Sequence, residues 1–403
     1  MASDKQNTSP NVPNLREQSE ACSCSAKRGA LRPQGNVPRL RFPEFSGEWL
    51  QKNISDVANV ISGGTPDTSI SRYWDGNIQW FTPSEIGKSK YISESERKIT
   101  QSGLDNSSAK ILPQGTILLS TRATIGECSI AMKDCSTNQG FQSLITKNNY
   151  NSEFVYYLIQ TKKKELIRNA CGSTFLEISA NEVRKIKCRV PQISEQNKIS
   201  QLLSLIDERI STQNKIIEQL QSLIKGIRVR LFSFDNYVIK YLGDLCFITT
   251  GKLDANAMVE NGKYPFFTCA EDTFRIDEYA FDTEALLISG NGANLGYIHY
   301  YNGKFNAYQR TYVLDKFSVE VMYLKYYLET FLNQRINQEV NVGNTPYIVL
   351  STLTKMKIKI PDISQQRNII NVLSNLNLKL NQEKDILSAY QTQKAYLLRN
   401  LFI

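Results

Sequence analysis

The feature that most constrains this chain is an internal repeat that runs without a gap. Residues 185–232 and 355–402 follow one pattern at an offset of 170. Pro191 falls on Pro361, Ser194 on Ser364, Gln196 on Gln366, and the Leu231-Phe232 ending on Leu401-Phe402. A repeat of this length describes a chain built as two copies of one unit, each with the same kind of binding task.

Both copies carry the 3,4 apolar spacing of a coiled-coil seam. In the first, one row is Leu203, Ile210, Ile217, Ile224 and Leu231, and the other is Ile199, Ile206, Gln213, Leu220 and Ile227. The matching rows are Leu373, Leu380, Leu387, Lys394 and Leu401, and Ile369, Leu376, Glu383, Tyr390 and Leu397. Each helix is predicted to be roughly 55 Å long at 1.5 Å rise per residue. Pro191 and Pro361 mark where the chain enters each helix, with Ser194 and Ser364 as the expected N-caps. The first helix leads out of the first globular unit and into the second. Equivalent halves then require the second helix to run back, so the pair is predicted to be antiparallel. That direction brings Gln213 and Glu383, each midway along its helix, into one central polar layer. Such a layer costs stability and fixes register.

Outside the helices the repeat is weaker but continuous. Leu118–Gly126 parallels Ile288–Gly296 at the same offset, and Gln139 falls opposite Gln309. Asp56 and Gly63 parallel Asp244 and Gly251 at an offset of 188, so the first unit holds about 18 extra residues early on. Runs such as 78–81, 117–120, 141–145, 266–268 and 286–289 read as strands, and 152–169 and 319–337 as helices. The expected fold class is α+β, with two pseudo-repeated α/β units joined by two long helices that form an antiparallel coiled coil. The expected boundaries are a disordered polar leader over 1–36, a first unit over 37–190, a central helix over 191–234, a second unit over 235–360 and a C-terminal helix over 361–403. Within the leader, Asn11–Arg16 resembles the Asn36–Arg41 stretch that opens the folded part.

Composition removes several function classes. No run of about 18 apolar residues is present, so no membrane span is expected, and the N-terminus has no apolar signal core. Eight cysteines without a Cys-x-x-Cys pair, and one histidine, argue against a zinc site; reduced thiols in a cytosol are the simpler reading. The net charge of +9 points modestly to a polyanion, though no basic tail carries it. His299 sits in a Tyr-rich strand-like run and reads as a packed residue. No Gly-x-x-x-x-Gly-Lys-Ser/Thr loop occurs, so ATP hydrolysis is not expected. Gly290–Gly296 reads as a loop tip rather than a nucleotide loop. Asn344-Thr345-Pro346-Tyr347 approaches the Asn-Pro-Pro-Tyr tetrapeptide of amino-group DNA methyltransferases. Its second residue is Thr, its counterpart is Gly172-Ser173-Thr174-Phe175, and no cofactor-binding βαβ unit surrounds it. Methyltransferase activity is therefore not expected, and no catalytic residue or metal ligand is assigned.

Over residues 37–403 the order of motifs resembles the specificity subunit of type I restriction-modification enzymes. The resemblance rests on Leu40-Arg41-Phe42-Pro43-Glu44-Phe45 with Trp49, on Gly63-Gly64-Thr65-Pro66, on Tyr73-Trp74-Asp75-Gly76-Asn77-Ile78-Gln79-Trp80, on Leu118–Gly126 and on both helices opening Pro-x-Ile-Ser-x-Gln. The second unit departs from it, with no Tyr-Trp-x-Gly segment and with Gly251-Lys252-Leu253 in place of the Gly-Gly-Thr. The resemblance implies two target-recognition domains, each reading one half of a bipartite asymmetric site in double-stranded DNA. It implies helices that set the spacer and dock two methyltransferase subunits, with two restriction subunits completing the enzyme in the bacterial cytoplasm. S-adenosylmethionine, ATP and Mg²⁺ would belong to those partners, with no cofactor in this chain. A coiled-coil scaffold, or a stand-alone DNA-binding protein without restriction partners, is the alternative. Base edges are read chiefly by Arg or Lys on guanine and Asn or Gln on adenine. The candidate DNA contacts are therefore Gln79, Lys88, Lys90, Arg122, Asn138 and Gln139 in the first unit, and Lys252, Asn291, Asn294, Gln309 and Arg310 in the second. Ser120, Thr121, Thr124 and Thr311 are further candidates for phosphate or base contact.

Overall fold

The structure is a computed structural model that describes residues 35–172, 176–339 and 347–403. The leader up to residue 34, and residues 173–175 and 344–346 of the two aligned tetrapeptides, lie outside the described residues. The chain forms two compact units: residues up to Leu203 with Ala395–Ile403, and Ser204–Lys394. This division cuts through the long helices rather than at their ends.

In the first unit a five-stranded sheet runs in the order Ala58–Ser62, Gln142–Thr146, Ile117–Leu119, Cys128–Ala131 and Tyr91–Ile92. Ile117, Leu118 and Leu119 are all buried, so the strand is covered on both faces and reads as a continuous apolar run. A second sheet orders Arg97–Ile99, Trp74–Phe81 and Cys135–Thr137. Trp74 and Trp80 meet edge to face at 5.1 Å, and the Arg97 guanidinium lies 3.6 Å from the Trp74 ring. The Tyr-Trp motif therefore builds core. The helix expected over 152–169 is broken at Lys162 into Ser152–Thr161 and Lys163–Arg168. Asn151 caps the first piece by accepting from the Phe154 N–H at 2.9 Å.

The second unit repeats this plan in one six-stranded sheet. Its order is Phe247–Thr250, Thr311–Asp315, Phe281–Ser289, Ile298–Ala307, Tyr264–Phe267 and Phe274–Ile276. The long strand Ile298–Ala307 replaces both Cys128–Ala131 and Cys135–Thr137. Tyr264–Phe267 pairs parallel with it, Phe267 opposite Ala307, as Phe81 stands opposite Thr137 in the first unit. The place of the Tyr-Trp strand is thus filled, by residues that share none of its motif.

Strand register also corrects the gap-free match of Leu118–Gly126 to Ile288–Gly296. Ile117 pairs with Ile130 and Leu144, while Leu286 pairs with Tyr300 and Leu314. Gly126 N–H donates to the Ser120 carbonyl at 3.0 Å, and Gly296 N–H to that of Ser289 at 2.8 Å. Ser120 therefore corresponds to Ser289, and the loop that follows is one residue longer in the second unit. Gly292 and Gly296 take its left-handed positions (φ 79° and 83°), where glycine carries no Cβ penalty. The Gly290–Gly296 motif is a turn.

The long helices span Ile193–Leu231 and Ile363–Leu401, 39 residues each. Within the second unit they run antiparallel: Asp207 pairs with Lys394 at 2.7 Å, Arg209 lies over the Tyr390 ring at 5.8 Å, and Gln213 meets Glu383. Ile206, Gln213, Ile217 and Ile224 are buried, with Ile210 and Leu220 half-buried; opposite them Ile369, Leu373 and Glu383 are buried, with Leu376, Leu380 and Leu387 half-buried. Their flanking residues are mostly exposed, the narrow stripe of a seam. In the first unit Ile199, Leu203, Leu397 and Leu401 are buried.

The helix starts differ from expectation. Ser194 and Ser364 lie inside the first turn, and Asp362 is the cap of the second helix, its Oδ1 accepting from the Gln365 N–H at 2.9 Å. The start is set instead by a buried glutamine that folds back on the proline. Gln196 Nε2 donates to the Pro191 carbonyl at 2.9 Å, and Gln366 Nε2 to that of Pro361 at 3.0 Å. The repeated Leu-Phe endings are core plugs. Phe232 packs on Tyr323, Tyr327 and Phe331 in the second unit. Phe402 packs on Trp49 and Phe154 in the first, where Leu40 N–H also donates to the Asn400 carbonyl at 2.9 Å.

Candidate nucleic-acid interface

In each unit three loops leave the main sheet at one end and are tied together by backbone bonds. In the first unit they are residues 63–65, 121–125 and 138–140. Gly64 N–H donates to the Thr137 carbonyl at 2.8 Å, and Thr121 N–H to that of Gly140 at 2.8 Å. In the second they are 251–253, 290–295 and 308–310. Gly251 N–H donates to Thr311 O at 3.2 Å, Gln309 N–H to Leu253 O at 2.8 Å and Gly290 N–H to Arg310 O at 2.9 Å. Close approach demands glycine at the first loop. A Cβ on Gly63 would stand 2.0 Å from the Asn138 carbonyl oxygen, and one on Gly251 1.9 Å from that of Ala307. A fixed backbone frame therefore presents polar side chains from all three loops.

These loops bring together Arg122, Asn138 and Gln139 in the first unit, and Lys252, Asn291, Asn294, Gln309 and Arg310 in the second. Gln139, Lys252, Gln309 and Arg310 are exposed. Asn138 Oδ1 accepts from the Gly140 N–H at 2.8 Å, and Asn294 Nδ2 donates to the Cys269 carbonyl at 3.2 Å. Lys88 is exposed but lies outside the three loops, on the segment leading to the Tyr91–Ile92 edge strand.

Two candidates are otherwise employed. Gln79 is 6% exposed. Its Nε2 donates to Glu94 at 2.9 Å, and its Oε1 accepts from the Ser95 N–H and hydroxyl at 2.7 and 2.8 Å. An amide buried and held at both its nitrogen and its oxygen is not free to reach a base edge. Lys90 is 7% exposed and pairs with Glu153 at 3.0 Å, its ammonium 4.9 Å from the Tyr157 ring. Ser120, Thr121 and Thr311 are fully buried. The Ser120 hydroxyl donates to the Arg122 carbonyl and that of Thr121 to the Gly140 carbonyl, so they brace the loops rather than face a ligand. Thr124 alone of that group is exposed.

Two side chains that meet the candidate residues were not singled out from the sequence as contacts. Thr65, in the Gly-Gly-Thr-Pro motif, donates its hydroxyl to Gln139 Oε1. Glu177 pairs with Arg122 at 2.8 Å. Nothing in the sequence marks Glu177, because its partner arrives through the tertiary fold.

His299 is half-buried, packed against Phe267 and Tyr297. Burial holds its pKa below the usual imidazole value. Burial likewise pushes the Cys135 and Cys246 thiols up to about 12 and that of Cys188 to about 11, which keeps them protonated. Among the described residues no group of three or more His, Cys, Asp or Glu side chains is placed to hold a metal ion. Nor is any described helix long and apolar enough to cross a membrane.

Residues 46–222 and 235–388 match the family described as the type I restriction modification DNA specificity domain. The chain is 30% identical over 401 residues to the type I restriction enzyme MjaIX specificity subunit of Methanocaldococcus jannaschii, covering 88% of this chain and 93% of that one. Its fold is similar to the crystal structure of a type I restriction-modification S subunit from M. genitalium, with a TM-score of 0.58 at 20% identity, over 91% of this chain and 99% of that chain. A chain solved in work on complex assembly and conformational transition of the type I system has the same TM-score at 17% identity, over 87% and 96%.

Proposed function

Because this chain belongs to the type I restriction-modification DNA specificity family, we propose that each three-loop cluster reads one half of a bipartite, asymmetric site in double-stranded DNA. The chain is a specificity subunit, a non-catalytic component of its system. One observation carries the finer reading: the middle loop is tied to the third by an equivalent backbone bond in both units, Thr121 N–H to the Gly140 carbonyl and Gly290 N–H to that of Arg310, with different side chains on it. A shared frame with unlike side chains suits two readers of two unlike half-sites.

In the first unit the proposed contacts are Arg122, Asn138 and Gln139 with Lys88 outside the cluster. In the second they are Lys252, Asn291, Asn294, Gln309 and Arg310. Gln79 and Lys90 support the fold behind them. The long helices act as a ruler that sets the spacer, with half-sites roughly one DNA turn apart. They also dock two methyltransferase subunits. Ile216, Leu223, Leu378 and Ile386 are exposed on the helices outside the seam and support such docking. Two restriction subunits complete the enzyme in the cytoplasm, and S-adenosylmethionine, ATP and Mg²⁺ bind to the partners. A net charge of only +9 agrees with weak DNA binding by the isolated chain and tight binding by the assembly.

The test is to assemble the chain with its methyltransferase partners and map the modified sites. A gapped two-part motif is expected, and one heptad added to each helix should lengthen its gap without changing either half. An ungapped motif, or a gap that ignores helix length, overturns the reading.

A further inference from the structure

One backbone bridge recurs in the two units with different side chains on it. In the first unit Arg122 faces Glu177 across an antiparallel bridge; in the second Asn291 faces Tyr347. The bridge is anchored alike in both. Ile178 N–H donates to the Thr121 carbonyl at 3.2 Å, and Ile348 N–H to that of Gly290 at 2.8 Å. Arg122 and Asn291 therefore occupy one position on one frame, in the loop whose neighbours carry the other polar candidates.

The first pair is built to hold a guanidinium still. Arg122 Nη2 lies 2.8 Å from Glu177 Oε2, with the two side chains 43% and 36% exposed. Glu177 is fixed in turn by paired backbone bonds with Cys171 at 2.9 and 3.0 Å. The Ser120 hydroxyl donates to the Arg122 carbonyl at 2.9 Å and braces the other side. One ion pair takes part of the guanidinium and leaves its remaining N–H donors for a ligand. The carboxylate also removes rotamer freedom that binding would otherwise have to remove. A guanidinium fork fits O6 and N7 of guanine, whereas an Asn amide fits N6 and N7 of adenine.

We propose that this bridge sets base identity. Arg122, positioned by Glu177, takes a guanine on the major-groove edge of one half-site, and Asn291 takes an adenine in the other. The proposal rests on the loop clusters being the DNA-facing surface. Arg122 is the reader and Glu177 a positioning residue. Lysine cannot replace Arg122, because its ammonium has the charge without the fork.

The experiment maps modified sites for the full chain assembled with its methyltransferase partners, comparing wild type with Arg122→Lys, Glu177→Ala, the double variant and Asn291→Ala. Arg122→Lys should relax one G·C position in one half-site, lowering its preference roughly 10- to 100-fold. The opposite half and the gap should not change. Glu177→Ala should weaken the same position, and the double variant should be no worse than Arg122→Lys alone. Asn291→Ala should relax an A·T position in the opposite half. The unchanged half-site reports folding and assembly in every variant. A preference untouched by Arg122→Lys, a relaxed A·T instead of G·C position, or equal loss in both halves overturns the proposal. A wild-type assembly without a two-part motif would instead remove the loop reading beneath it.

Discussion

Gln196 and Gln366 make the same bond to a proline carbonyl, but their remaining amide atoms meet different surroundings. In the first unit Gln196 Oε1 accepts from the Asn151 N–H at 3.0 Å, which also ties the helix start to the neighbouring helix cap. In the second, Gln366 Oε1 is buried with no protein partner among the described residues. The preceding position differs as well. Glu195 is 2% exposed and takes a fork from Arg41 at 2.9 and 2.8 Å, with the Trp49 indole N–H at 3.3 Å. Among the described residues its counterpart Gln365 makes no such network, and the nearby charge pair Arg367–Glu320 lies on the surface, with 67% and 37% exposure. The comparison separates two layers of the repeat. The fold-back of glutamine onto proline belongs to the unit, while the buried charge belongs to the first copy, where residues 40–49 supply the clamp.

The largest expected effects come from the helix ends, where the two copies should behave alike but in different units. Phe232→Ala removes a ring packed on three aromatic neighbours and should cost about 4 kcal/mol of stability. Phe402→Ala, with two aromatic neighbours, should cost about 3 kcal/mol. Hydrogen exchange should place the loss of protection from Phe232→Ala among residues 235–360, and that from Phe402→Ala among residues 40–190. Loss in the same unit for both would break the equivalence of the two plugs.

The helix starts should then behave unlike each other. Arg41→Ala leaves the buried Glu195 carboxylate without its fork and should destabilise by about 3 kcal/mol. Arg367→Ala removes an exposed pair and should shift the denaturation midpoint by less than about 1 kcal/mol. Equal losses in urea unfolding would show that burial of the first pair is not what distinguishes the copies.

The central layer tests the seam that both copies share. Glu383 accepts from Gln213 Nε2 through its side chain and, at 3.0 Å, through its backbone carbonyl. Lys379, at 2.6 Å, and then Gln213 hold its pKa below the usual carboxylate value. Replacing both Gln213 and Glu383 with Leu should raise the thermal midpoint, since apolar residues in a seam avoid the desolvation of a polar layer. Glu383→Leu alone should lower it, by leaving Gln213 short of an acceptor. A lower midpoint for the double variant would make the polar layer stabilising rather than register-setting.

The helices were legible because a seam writes itself locally. Apolar residues at 3,4 spacing, interrupted by Gln213 in one copy and by Glu383 and Lys394 in the other, are enough to pair Gln213 with Glu383 across 170 positions of chain. The helix starts were misread at Ser194 and Ser364 because the deciding contact, Gln196 or Gln366 to a proline carbonyl, looks in sequence like one more polar helix residue. The loops were legible as polar tips but not as a cluster. Gln79 and Lys90 resemble donors until Glu94 and Ser95 take the amide and Glu153 and Tyr157 cover the ammonium, and Thr65 and Glu177 gain their roles only through partners distant in sequence. The strand at Tyr264–Phe267 was legible over 266–268, but its equivalence to Trp74–Phe81 was hidden for a related reason. Its position is fixed by pairing with Asn306 and Ala307, which places no demand for tryptophan on the residues.

The smallest expected effect isolates the difference between the two glutamines themselves. Gln196→Leu breaks two bonds, orphaning the Pro191 carbonyl and the Asn151 N–H beside it. Gln366→Leu breaks only the bond to the Pro361 carbonyl and at the same time removes a buried oxygen that lacks a protein partner. A hydrogen bond contributes about 1 kcal/mol net, and burial of an unsatisfied polar atom has its own cost. Gln196→Leu should therefore destabilise by at least about 1 kcal/mol more than Gln366→Leu, with Asn151 N–H exchange accelerated only in the former. If the two substitutions cost the same, the bond to proline alone stabilises both helix starts. The extra link to Asn151 would then add nothing to the first copy beyond what the repeat already supplies.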